Sequence, residues 1–114
     1  MGSTRNKIEE VIKMDILLWL QEWYHKQCDG DWEHMYGAKI YNVDNPGWAV
    51  EVDLHETDLE EKVFDRIQYD KGDEDWLLCF VENGVFQGNG DSLKLFRILE
   101  IFKNWAEQEC LCSN

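Results

Sequence analysis

The chain has 114 residues, with 11 Lys and Arg against 24 Asp and Glu for a net charge of −13; 44% of it is hydrophobic and 13% aromatic. A chain of this length forms one domain that buries most of its unfolded surface without disulfide or metal, and its apolar content excludes intrinsic disorder. The charge argues against nucleic acid and anionic membranes as partners, because phosphate contacts need clustered basic residues and no two Lys or Arg are adjacent here.

No repeat, low-complexity tract or proline-rich linker divides the sequence, so one domain over 1–114 is expected, with its core at about residues 6–108. The apolar stretch Ile16 to Leu20 is too short for a signal-peptide core or a membrane span, and Glu9, Glu10, Lys13 and Asp15 interrupt its approach. A cytoplasmic protein is the expectation. Cys28, Cys79, Cys110 and Cys112 then read as reduced thiols.

From Asn6 to about Gln27 the residues Ile8, Val11, Ile12, Ile16, Trp19, Leu20 and Trp23 recur at helical spacing, and Asp29-Gly30 supplies the stop. The segment Cys28-Asp29-Gly30-Asp31-Trp32-Glu33-His34 that follows reads as a helix exit in a solvated acidic turn. It fails as an EF-hand, since a loop begun at Asp29 has His34 where Gly is needed and Ile40 where Glu is needed.

Next the period changes to two. Ala38 to Val43 and Trp48 to Leu54 read as a hairpin joined through Asp44-Asn45-Pro46-Gly47, with Pro46 and Gly47 fitting a type II turn. Either of two registers then places Tyr41 and Val43 on the face of Val50 and Val52, with Glu51 and Asp53 on the outer face. Val63 to Tyr69 reads as a weaker strand, followed by the charged loop Asp70 to Asp75. Trp76 to Val81 and Val85-Phe86 flank Asn83-Gly84, the dipeptide of a type I′ hairpin. Val81 then opposes Phe86, so Leu77, Cys79, Val81 and Phe86 share one face and Trp76, Leu78 and Phe80 the other. Both faces being apolar, this strand is central or meets a partner.

Gly88-Asn89-Gly90 reads as the connection to a last helix, capped by Asp91 or Ser92, in which Leu95, Ile98, Leu99, Phe102, Trp105 and Ala106 form one stripe. The plan is α+β: an N-terminal helix, an antiparallel sheet of four to five short strands and a C-terminal helix in two layers, with both helices most simply on one face, although the doubly apolar strand at Trp76 to Val81 also allows them to sandwich the sheet.

Enzyme signatures are absent: no Gly-x-Ser-x-Gly, no phosphate-binding Gly-x4-Gly-Lys-Ser/Thr and no His-Glu-x-x-His occurs, so no catalytic residue or cofactor is expected. Gly88 to Ser92 could cradle an anion, but no Lys follows at the motif position and Asp91 repels phosphate. His25, Cys28, Cys110 and Cys112 could supply four zinc ligands, although Cys-x-Cys is an uncommon spacing. What stands out is acid beside aromatic. Trp32 lies between Asp31 and Glu33, Glu51 and Asp53 line a strand, and Asp73, Glu74 and Asp75 precede Trp76. Asp29, these seven acids and Trp32 read as a surface for a basic protein partner, in which aromatics anchor and carboxylates steer. Alanine at Asp31, Trp32 or Glu33 is expected to weaken that binding without unfolding the domain.

LQEWYHKQCDGDWEHMYGAKI, then DNPGWAVEVDL, DWLLCFVENGVFQGNGDSL and ILEIFKNW, over about residues 17 to 105, resemble the immunity protein 53 family of bacterial polymorphic toxin systems. CDGDWEH and DNPGW are the most specific pieces. The resemblance implies a small cytosolic antitoxin, encoded beside a toxin, that binds and neutralises the toxin domain; it implies no catalytic residue and no fixed toxin class. A basic nuclease fits the charge. The chain itself is expected to be a monomer or weak homo-oligomer. The alternative is a small zinc-binding protein, or an adaptor that oligomerises through the apolar face of Trp76 to Phe80.

Overall fold

The computed structural model describes residues 3–108, with side chains from residue 15 onward. Helix α1 spans Ser3–Gln27, a single turn α2 spans Trp32–Met35, and α3 spans Leu95–Glu107. Between them lie β1 (Ala38–Val43), β2 (Gly47–Asp53), β3 (Ile67–Asp70), β4 (Trp76–Glu82) and β5 (Val85–Asp91). The five strands form one antiparallel sheet in the order β1-β2-β5-β4-β3. This is the α+β domain the sequence predicts.

The alternation of each strand sorts its residues onto two faces. Val50 and Val52 of β2, Phe86 of β5 and Leu77 and Cys79 of β4 are buried on the helix side. Ile98, Leu99, Ile101, Phe102 and Trp105 of α3 complete that core. Helix α1 packs beside α3 on the same side, through Ile16, Trp19, Leu20 and Trp23, and the rings of Trp19 and Trp23 meet Phe102 edge-on at 5.7 and 5.3 Å. The expected stripe is thus present from Ile16 onward; the side chains of Ile8, Val11 and Ile12 lie outside the described residues.

The second hairpin forms as the Asn83-Gly84 pair predicts, with both residues at positive φ (55° and 77°) and Val81 opposite Phe86. The first differs. Its register pairs Val43 with Gly47 across the three-residue loop Asp44-Asn45-Pro46, so Ile40 and Ala38, not Tyr41 and Val43, share the face of Val50 and Val52. One residue of slip reverses every side chain. Gly47 is therefore the first residue of β2 and is not the positive-φ corner of a type II turn. What demands glycine there is proximity: a Cβ would stand 2.2 Å from the carbonyl oxygen of Gly90.

Gly88 and Gly90 also belong to a strand, β5, and not to the predicted connection. They let α3 lie directly on the sheet, since a Cβ at Gly88 would meet Ile98 Cγ2 at 2.3 Å and one at Gly90 would meet Lys94 Cβ at 2.6 Å. A Gly88→Ala variant should lose about 1 to 3 kcal/mol by overpacking. Urea denaturation should show this as a lowered midpoint at unchanged slope; an unchanged midpoint would mean that α3 yields freely.

Two more boundaries shift. The third strand begins only at Ile67, because Val63 and Phe64 serve α3 instead: Phe64 packs edge-on against Trp105 at 5.2 Å and the Val63 carbonyl accepts the Trp105 indole N–H at 2.8 Å. Lys62 closes the C-terminal end of α3, donating to the carbonyls of Trp105 and Gln108. Helix α3 begins after Lys94 without a side-chain cap. Asp91, expected as a cap, accepts instead from the backbone N–H of Leu93 and Trp76, both at 2.9 Å, and from Lys94 Nζ at 2.6 Å.

Candidate functional site

The acidic motif after α1 folds into a closed loop. Asp29 Oδ1 accepts the backbone N–H groups of Asp31 and Trp32 at 2.9 and 3.0 Å, while the Glu33 carboxylate reaches back to those of Asp29 and Gly30 at 3.0 and 2.9 Å. The two carboxylates thus tie the loop reciprocally, and Asp29 satisfies the N–H of Trp32, the first residue of α2, where the N-cap Asp31 supplies no side-chain bond. The N–H groups of Trp32 and Asp31 hold the Asp29 carboxyl below its ordinary pKa.

Trp32 is not the exposed anchor expected of it. Only 2% of it is accessible, and its ring packs against Trp23, Tyr24 and Tyr36 at centroid distances of 6.3, 5.9 and 5.9 Å. Its indole N–H donates to the His55 carbonyl at 2.8 Å. The Tyr36 ring stacks on His55 at 5.2 Å, and His55 in turn lies under Gly84. The motif therefore pins the exit of α1 to the end of β2 and the β4–β5 turn. Of its acids, only Asp31 is exposed with its carboxylate free of hydrogen bonds among the described residues.

Asp53 is half-buried and accepts the Gly37 N–H at 2.9 Å, closing the start of β1. Glu51 lies on the sheet face away from the helices and accepts the Tyr41 hydroxyl at 2.5 Å, which raises the tyrosine's pKa. At the opposite end of the sheet, Asp73 and Glu74 are exposed, and Asp75 pairs with Lys94 Nζ at 2.9 Å. The two acidic loops thus stand at opposite ends of the strands, roughly 20 Å apart at about 3.3 Å per residue of β2. Glu51 lies between them.

The sheet face that carries Glu51 has no helix on it among the described residues. Tyr41, Ala49, Gln87, Asn89, Leu78 and Phe80 lie across it from β1 to β4, and Arg66 sits 5.2 Å over the Phe80 ring. Periodicity places Trp76, Leu78 and Phe80 together on one face of β4 without saying that this face is bare, and the amides of β5 carry no signal in a Gly-Asn-Gly stretch that resembles a connection.

Besides a cavity of 450 Å³ against Gln21, Glu22, His25 and Lys26 of α1, two border the sheet. One of 470 Å³ lies between α3 and the segment before β3, with Arg66 and Arg97 at its walls. The other, of 300 Å³, opens on the bare face between Asn45, Gln68, Asp70, Asp73, Trp76 and Leu78. Among the described residues no group of three or more His, Cys, Asp or Glu side chains is placed to hold a metal ion, and no helix is long and apolar enough to cross a membrane. Cys110 and Cys112 lie outside the described residues. Cys28 donates its thiol to the Tyr24 carbonyl at 3.4 Å, and burial pushes the Cys79 thiol up to about 12.

An acidic α+β domain with one face of its sheet uncovered and its aromatic motif spent on holding the fold has the build of a binding protein. The comparisons give that class a family: the model for Immunity protein 53 matches residues 17–107, and the chain belongs to this family of immunity proteins. No curated protein and no solved structure matches it.

Proposed function

We propose that this chain binds a cognate toxin domain in the cytoplasm of the producing cell and neutralises it by covering its working surface. The observation that carries this reading is the match to Immunity protein 53 over nearly the whole described chain. The −13 charge supports a basic toxin, because a field of that sign speeds encounter with a positive surface. A nuclease is the toxin class that fits best, since its phosphate-binding groups are cationic and carboxylates can occupy them. Asp31, Glu51, Asp73 and Glu74 are the acids best placed to act in this way; Asp29, Glu33 and Asp53 act through the loops they hold, Asp75 through Lys94, and Trp32 through the interior.

Growth rescue tests the reading. The C-terminal domain of the toxin encoded beside this chain's gene, induced alone, should stop growth, and co-expression of this chain should restore it. Charge reversal of Asp31, Asp73 and Glu74 together should slow association about tenfold at low salt and much less at high salt. Soluble expression of both proteins without rescue would overturn the proposal.

A further inference from the structure

The bare sheet face and the cleft at its edge specify more than charge. The face spans five strands of up to seven residues, so it measures roughly 20 by 20 Å at about 4.8 Å between strands. That is about half of the 800 Å² that each partner buries in a standard complex, and the acidic loops at either end of the strands extend it. Its centre holds aromatic, aliphatic and amide side chains with few charges, the composition of an interface core.

The cleft of 300 Å³ lies at the edge of this face. Trp76 and Leu78 share one side of β4, and Asp70 and Gln68 stand opposite them on β3. Asn45 of the β1–β2 turn and Asp73 of the β3–β4 loop complete the walls. No Lys or Arg lines it. Gln68 Oε1 already accepts Arg66 Nε and Asp70 Oδ1 the Gly72 N–H, each at 3.1 Å, which leaves Asp73, the second Asp70 oxygen and the Asn45 amide beside an indole, a set whose chemistry suits a further guanidinium. The 470 Å³ cavity has the opposite character, with arginines of its own at the wall.

We infer that the bare sheet face is the surface on which the toxin domain docks, with an arginine of the toxin seated in the cleft between Asp70, Asp73 and Trp76. This rests on the immunity reading above and specifies the contact it requires. Complementarity of charge selects this occupant over a second copy of the chain, which at −13 is repelled from the same acidic edge.

Purified wild-type chain should be titrated with the purified toxin domain at about 0.15 M and about 0.5 M salt. Gln68→Lys and Asp73→Lys, both at exposed positions that place an ammonium in or beside the cleft, should weaken binding tenfold to hundredfold, and the loss should persist at the higher salt. Tyr41→Ala should weaken it on the order of tenfold. Glu22→Lys on α1, with the same charge change as Asp73→Lys, should stay within about twofold at high salt. If the wild type binds and the Gln68 and Asp73 variants bind as well, the face is wrong while the immunity reading stands. If the wild type neither binds nor rescues, both fall. Concentration-dependent dimerisation abolished by Gln68→Lys would give the face to a second copy and overturn the inference.

Discussion

Alanine at Trp32 is expected to remove about 3 to 5 kcal/mol of stability, on the order of half of what a domain of this size has. The side chain is 2% accessible, and its removal opens a cavity among Trp23, Tyr24 and Tyr36 and leaves the His55 carbonyl without its indole donor. Urea denaturation followed by tryptophan fluorescence measures this directly. Asp31→Ala, one residue away and exposed, should change the stability by no more than about 0.5 kcal/mol. Equal, small effects at both positions would mean that the ring is not packed as described. Lost toxin binding in Trp32→Ala would accordingly report unfolding, whereas in Asp31→Ala it would report contact.

The second large effect belongs to Asp91→Asn. Both carboxylate oxygens are occupied, Oδ1 by the Leu93 N–H and Oδ2 by the Trp76 N–H and Lys94 Nζ, so an amide in either orientation turns an NH2 group against a donor. At 2% accessibility the mismatch is not relieved by water, and a loss of about 3 kcal/mol is expected. Burial by itself would raise the pKa of Asp91, but the hydrogen bonds from Lys94, Leu93 and Trp76 outweigh it and bring the group down to about 2. A carboxyl depressed in the native state stabilises above its unfolded pKa and ceases to do so as pH falls through its folded one. Wild-type stability should therefore decline between about pH 4 and pH 2 more steeply than that of Asp91→Asn. Parallel acid limbs for the two proteins would sink this account.

What could be read from the residues was whatever local chemistry decides. Ile98, Phe102 and Trp105 announce α3 by their spacing, and Asn83-Gly84 fixes its hairpin because few other pairs accept two positive φ angles. Local pattern misleads where a residue answers to something distant. Pro46-Gly47 looks like a type II turn, yet Gly47 is glycine because β5 passes close by, forty-three residues later in the chain at Gly90. Gly88 and Gly90 look like a loop for the same reason, their requirement being set by α3. Trp32 gave no periodic sign of burial, since its partners come from α1 and the end of β2. Of the candidate site, the sharing of one face by Trp76, Leu78 and Phe80 was legible but not which face is bare, because both faces of that strand are apolar; nor was the cleft, because Asn45 reaches it only through the fold.

Gly88 and Gly90 give the central strand an asymmetry. Over that stretch β5 presents hydrogen atoms to the helix and the full side chains of Gln87 and Asn89 to the other side. The middle of the sheet is thus divided into positions that admit no side chain and positions that carry one freely. Substitutions at Gln87 and Asn89 would alter what the molecule shows to the outside while the contact between α3 and the sheet stays as it was.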